Sequence, residues 1–192
     1  MSYFVLNNID TIIFKLISKK IKIKDFEKWV YSEKKLEKLI TPNDFLELIS
    51  LCYTTLSALY DAEKILKKYI NIGKYYEWEL RKTLQQIIDR PSNVHEYITQ
   101  CYDLYCDGYY FLENLGLGYG LGIEVPPASY SAQSWNKLTP KDQIILIESY
   151  YPQVKKEAKK VIYWLDSKEI LLTGHNGEYQ GIEYNDNRKN IF

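Results

Sequence analysis

Two carboxylates one helical turn apart, Asp103 and Asp107, are the residues of this sequence whose type and spacing best suit chemistry. On a helix, residues four positions apart share a face, and paired carboxylates can hold Mg²⁺ in front of a phosphate. That use normally needs a second acidic cluster and a basic residue, and no lysine or arginine lies nearby in sequence. We therefore favour a pair that faces solvent or a binding partner. A metal-dependent enzyme built on this pair is the second hypothesis.

Other residues that could carry chemistry lack the surroundings that chemistry needs. Glycines alternate with other residues from Gly116 to Gly122, but a helical pattern precedes them and prolines follow. A nucleotide-binding loop requires a preceding strand and a following helix, so we predict an irregular loop over residues 116–135. Neither His95 nor His175 lies in a metal-binding or nucleophile motif. The sequence predicts no cofactor, no metal site and no catalytic residue.

The distribution of charge is the strongest functional signal. Lysine plus arginine equals aspartate plus glutamate at 25 each, which argues against a dedicated nucleic-acid binder. Yet residues 91–136 contain no lysine or arginine, five carboxylates and seven tyrosines. An acidic surface rich in tyrosine suits a basic protein partner. The predicted partner-binding residues are Asp103, Asp107, Tyr109, Tyr110, Glu113, Tyr119, Glu124 and Tyr130.

Helical periodicity runs through most of the chain and must position these residues. Thr41 and Thr139 each precede a proline, which predicts an N-cap followed by the first helical residue. Asp25 is a third predicted N-cap, and Gly73 is predicted to end a helix. Ser92 is expected to cap a helix that runs to about residue 115, with Gly108 marking a kink or a close helix approach.

The fold class that follows is mainly α. We predict a bundle of about seven to eight helices over residues 1–166, with a C-terminal β-hairpin over 167–192 packed on it in a single domain. The hairpin is predicted from a change of period after Asp166, with strand segments over 169–173 and 179–184 on either side of the tight-turn pair Asn176-Gly177. A structural or scaffold role for such a helical protein is the third hypothesis.

The expected location is the cytoplasm, and no membrane partner is expected. No apolar run approaches the ~20 residues that a membrane span needs, and the N-terminal segment does not have the form of a signal peptide. Three cysteines, Cys52, Cys101 and Cys106, have no framework spacing and are expected to be free thiols.

Residues 26–53 resemble a segment common among small bacterial immunity proteins of polymorphic or contact-delivered toxin systems. The matching positions are aromatic or aliphatic for the most part, and include Phe26, Trp29, Tyr31, Leu46-Glu47-Leu48-Ile49-Ser50 and Tyr53. The resemblance implies a cytoplasmic protein that blocks a cognate toxin, and it identifies a packing unit rather than functional residues. Together with the acidic window, it leads us to expect an inhibitor of a basic bacterial toxin.

Overall fold

Helices account for most of the residues that the computed structural model describes, which are 7–55, 57–175 and 182–189. The protein is mainly α with a two-stranded antiparallel hairpin near its C-terminus, so the predicted fold class is confirmed. The chain divides into two compact units, one ending at Tyr75 and the other beginning at Tyr76. We call these the N-terminal and C-terminal units. The predicted helical domain of 1–166 includes parts of both, and its organisation as a single domain stays a prediction.

The N-terminal unit is a set of short helices around its own core. Its helices are α1 (Asn8–Ile17), α2 (Ile23–Ser32), α3 (Leu36–Leu39), α4 (Pro42–Ile49) and α5 (Ala58–Leu66), followed by a 3-10 turn at Lys67–Tyr69. Buried side chains from all five helices form this core, among them Leu16, Phe26, Leu36, Leu48, Ala62 and Leu66. The resemblance over residues 26–53 therefore falls within this unit.

Local capping chemistry sets several helix boundaries. The Thr41 hydroxyl accepts a hydrogen bond from the Asp44 N–H at 3.3 Å, with Pro42 as the first helical residue, which confirms the predicted start of α4. The predicted cap at Asp25 was wrong, because α2 begins at Ile23 and places Asp25 in its first turn. A carboxylate there still interacts favourably with the positive end of the helix dipole.

The C-terminal unit contains most of α6 (Ile72–Asp89) and all of α7 (Val94–Cys106). Gly73 was predicted to end a helix and instead lies in the first turn of α6. The N-cap of α7 is Asn93 and not the predicted Ser92.

The largest difference from the sequence prediction lies after α7. That helix ends at Cys106, and the chain turns at Gly108, whose φ of 108° is one that L side chains rarely adopt. Residues 110–124 are then helical, although we predicted helix only to 115 and an irregular loop from 116. The segments are a 3-10 turn (Tyr110–Leu112), α8 (Glu113–Leu115), a π-helical turn (Gly116–Gly120) and α9 (Leu121–Glu124).

Two glycines bring this segment into backbone contact with α7. A Cβ on Gly116 would lie 2.8 Å from the Tyr105 Cβ, and one on Gly120 would lie 2.7 Å from both the Ile98 carbonyl oxygen and the Tyr102 Cβ. A side chain at either position would overlap the facing helix. A kink or a close helix approach was predicted at Gly108. The chain turns at Gly108, and the close approach is made by Gly116 and Gly120.

The rest of the C-terminal unit completes its core. Two 3-10 turns (Ala128–Tyr130 and Trp135–Lys137) lead to α10 (Pro140–Tyr150) and α11 (Gln153–Asp166). The Thr139 hydroxyl accepts from the Asp142 N–H at 3.1 Å, as the predicted cap requires. Core side chains come from α6, α7, the 110–124 segment, α11 and the hairpin, among them Leu84, Ile98, Leu112, Leu115, Ile123, Val161 and Leu172.

The hairpin pairs β1 (Ile170–His175) with β2 (Ile182–Asp186), with Leu172 opposite Tyr184 and an irregularity between Leu172 and Gly174. The first strand extends to His175, further than the predicted strand end at 173. The predicted Asn176-Gly177 turn lies outside the described residues. Among the helices that the structure describes, none is long and apolar enough to cross a membrane.

Candidate protein-binding surface

An acidic stripe runs along the exposed side of α7. Glu96, Gln100, Asp103 and Asp107 follow one another at helical spacings of four, three and four residues, and all four are exposed. The opposite side of the helix carries the buried residues of the core. The fold therefore leaves the carboxylates of Glu96, Asp103 and Asp107 available to solvent or to a partner.

Glu124 of α9 extends the stripe into a surface that spans both helices. Tyr102 of α7 lies against Gly120, the residue before α9: a Cβ on Gly120 would lie 2.7 Å from the Tyr102 Cβ. The pKa of the Tyr102 hydroxyl is raised by Cys106 first and further by the charges of Glu124 and Asp103. We call Glu96, Asp103, Asp107 and Glu124 the acidic face. Within the described part of the chain, no ion pair joins any of these carboxylates to a cation.

Two of these carboxylates lie where they reduce stability. Asp103 is in the last turn of α7 and Asp107 is its C-cap. Negative charge at a helix C-terminus is unfavourable by roughly 0.3–1 kcal/mol per residue, and like charges four residues apart add roughly 0.2–0.5 kcal/mol. Folding alone therefore gives no reason for acidic residues at these two positions.

Tyr109 does not belong to this surface, contrary to its predicted role. Its side chain is only 1% exposed and packs beside the rings of Phe111 and Tyr184, at 5.3 and 6.2 Å between centroids. Burial raises the pKa of the Tyr109 hydroxyl. That hydroxyl has no hydrogen-bond partner among the described residues. The core needs this ring, so it is withdrawn from any partner contact.

Tyr110 and Glu113 are exposed but line a different feature, a groove of about 440 Å³ beside α11 and the residues after β2. This groove also carries Lys160, Arg188 and Lys189. Glu113 therefore shares this groove with cations that are remote in sequence. The role of Tyr110 and Glu113 in partner binding stays a prediction.

Tyr119 and Tyr130 are half-buried around Tyr150. The Tyr119 ring meets the Tyr150 ring edge-on at 5.2 Å, and the Tyr130 hydroxyl contributes to raising the pKa of Tyr150, which burial raises most. Tyr119 was predicted to lie in an irregular loop and to bind the partner. It instead lies in the π-helical turn, on the side that packs against the core.

Sequence reasoning missed a pocket of about 260 Å³ next to the acidic face. The His95 imidazole stacks on the Trp135 ring at 4.4 Å and 17°, and both line this pocket together with Arg90, Ile144 and Glu148. Burial lowers the pKa of His95 below its usual 6.5, against the smaller opposing effect of Glu96. The pairing joins residues forty positions apart, and no local pattern indicates it.

The described residues contain no group of three or more His, Cys, Asp and Glu side chains that could hold a metal ion. The Asp103 and Asp107 pair thus has no third ligand within that part of the chain. In comparisons with known proteins, no family model, curated protein or solved structure matches the chain. The functional argument therefore depends on the surface itself.

Proposed function

We propose that this chain is an immunity-like binding protein that captures and neutralises a basic bacterial protein toxin in the cytoplasm through its acidic face. The observation that carries the proposal is the placement of Asp103 and Asp107 at the C-terminus of α7. They are exposed, lack a cation partner in the described residues and oppose the helix dipole. Residues that reduce stability and contribute no packing are typical of sites kept for function.

Charge complementarity supplies the mechanism. A surface of one sign accelerates encounter with a partner of opposite sign and disfavours partners of like sign. The partner's lysines and arginines would contact Asp103, Asp107 and Glu124, with the partly exposed Tyr102 between them. Tyrosine provides stiff contact area with a polar tip, which suits a slow off-rate.

The resemblance to immunity proteins supports the same proposal from a separate part of the chain. It covers residues 26–53 of the N-terminal unit, whereas the acidic face belongs to the C-terminal unit. The two arguments therefore do not share residues. The resemblance supplies the class of partner, and the acidic face supplies the physical means of binding it.

The test is co-expression of the full chain with the product of the adjacent gene, scored by growth rescue, co-purification and association rate. Asp103→Lys with Asp107→Lys should lower the association rate by about tenfold or more at low salt and by less at high salt. The control for position is Glu183→Lys, which reverses one exposed carboxylate on β2 outside the acidic face and should leave the rate within about twofold of wild type.

Two results would count against the proposal. One is an association rate that the double reversal leaves unchanged at every salt concentration. The other is a melting temperature that Mg²⁺ or Mn²⁺ raises in the wild type but not in the double variant, since stabilisation by an ion reports a binding site. That second result would favour the carboxylate pair as a metal site.

A further inference from the structure

The pocket beside the start of α7 has an apolar floor and an open apolar mouth. Val94 and Ile147, 4% and 9% exposed, form the floor, and Ile144 at the mouth is 63% exposed. Its volume of about 260 Å³ is below the roughly 300–1,000 Å³ of sites for drug-sized ligands. The space suits one large side chain.

The wall of the pocket is fixed in place without a ligand. Trp135 is held on one side by the stacked His95 ring, and the Gln143 side-chain amide donates a hydrogen bond to the Trp135 carbonyl oxygen at 3.1 Å. Since these groups are already ordered, a bound side chain would not have to offset the entropy of ordering them.

The positive charge of Arg90 at the rim of the pocket is already paired. The Arg90 guanidinium pairs with Glu148 and lies over the Tyr151 ring at 4.4 Å, and the Tyr151 hydroxyl donates to the Ile87 carbonyl oxygen at 2.8 Å. Arg90 is thus held from two directions. The Glu148 side chain stays 59% exposed and can accept further hydrogen bonds.

The acidic face begins directly beside this pocket. His95 lines the pocket, and the next residue, Glu96, is the first carboxylate of the acidic face. An occupant of the pocket would therefore have the Glu148 carboxylate at the rim. Glu96, whose carboxylate accepts a hydrogen bond from the Asn93 side-chain amide, would lie outside the pocket lining. This charge arrangement complements a side chain that is flanked by lysine or arginine.

We infer that this pocket receives one aromatic or large aliphatic side chain of the same basic partner, inserted between Trp135 and Ile144, with flanking cations at Glu96 and Glu148. The inference rests on the proposed function and specifies the anchor that would hold the captured partner. Large side chains in preformed, desolvated pockets commonly provide most of the binding energy of an interface. The acidic face would govern the association rate and the pocket the dissociation rate.

A small probe tests the pocket independently of the partner. N-acetyltryptophanamide should shift the Trp135 indole N–H resonance saturably in the full chain, and N-acetylargininamide should shift it much less. Ile144→Asn should abolish the response, whereas Ile145→Asn should preserve it, because Ile145 is 45% exposed but does not line the pocket. Equal responses to the two probes, or in the two variants, would overturn the inference.

The same pair of variants tests the anchor with the adjacent-gene product. Ile144→Asn should raise the dissociation rate by about tenfold or more, while Ile145→Asn should change it by less than about twofold. If the wild type captures the partner and Ile144→Asn dissociates at the wild-type rate, the pocket is not the anchor. If the wild type captures nothing, the proposed function fails, and the indole response still reports on the pocket.

Discussion

Replacing Gly120 with alanine should push the 110–124 segment away from α7, whereas the same change at Gly118 should stabilise the protein. The two glycines are two residues apart in one π-helical turn. A Cβ on Gly120 would lie 2.7 Å from the Ile98 carbonyl oxygen, whereas a Cβ on Gly118 meets nothing within 4 Å. The pair therefore separates packing from helix propensity at nearly the same place in the fold.

The magnitudes follow from these distances. Ordinary contacts begin near 3.4 Å, so Gly120→Ala requires a backbone displacement of about 0.7 Å, the difference between 3.4 and 2.7 Å. Overpacking of this kind costs about 1–3 kcal/mol, offset by up to about 1 kcal/mol of helix propensity. The net loss of unfolding free energy should be about 1 kcal/mol. Gly118→Ala should gain up to about 1 kcal/mol, because only the propensity and unfolded-state effects remain.

The assay is urea denaturation combined with hydrogen exchange, which assigns the change to the C-terminal unit. Amides of α7 around Tyr102 should lose protection in Gly120→Ala and keep or gain it in Gly118→Ala. Gly116→Ala should behave like Gly120→Ala, since its Cβ would lie 3.0 Å from the Cys101 carbonyl oxygen. Equal effects of Gly118→Ala and Gly120→Ala on stability would refute the backbone contact between the two helical segments.

Three further outcomes can be measured directly. Tyr109→Phe should leave the unfolding free energy unchanged or raise it by up to about 1 kcal/mol in urea denaturation, because the buried hydroxyl has no partner among the described residues. A lower unfolding free energy than that of the wild type would reveal a hydrogen bond made by this hydroxyl. An NMR titration of His95 should give a pKa below 6.5. The folded state then resists protonation, so this residue's contribution to stability is present above pH 6.5 and is lost as pH falls through the folded pKa; a pKa above 6.5 would contradict the burial of this ring. With an aromatic disulfide reagent, the exposed Cys52 and Cys106 should react in the native protein. The buried Cys101 should react only after unfolding, because burial shields the thiol and raises its pKa to about 12. Rapid labelling of all three thiols would mean that the core around α7 opens readily.

Features set by neighbouring residues were predictable from the sequence. The starts of α4 and α10 follow from a threonine and a proline side by side, and the structure places both threonine hydroxyls on the predicted helix ends. The C-terminal hairpin follows in the same way from the change of period after Asp166. These signals act over three or four residues, so no knowledge of the tertiary fold is needed to interpret them.

The glycine-rich segment was not predictable in this way. Glycine is a poor helix former, and four glycines over residues 116–122 therefore indicated a loop. Contact with α7 overrides this preference, because only glycine at 116 and 120 lets the two backbones approach so closely. The approach depends on Ile98 and Tyr102 facing these positions, which the local sequence does not reveal.

The same distinction applies to the candidate surface. Exposure of Asp103, Asp107 and Glu124 follows from their charge, since ionised side chains are rarely buried. The burial of Tyr109 depends on the ring of Tyr184, far along the chain, and so could not be inferred locally. The pocket at Trp135 was missed for the same reason.

The most direct test of the acidic face measures stability and capture on one preparation carrying Asp103→Lys and Asp107→Lys. Reversing two charges that oppose the helix dipole should raise the unfolding free energy by about 1–2 kcal/mol, while the repulsion between like charges at positions 103 and 107 remains in the lysine pair. Association with the adjacent-gene product should nevertheless become about tenfold slower or more at low salt. A more stable protein that binds more slowly is the predicted result; undiminished association, or a less stable fold, would contradict the account.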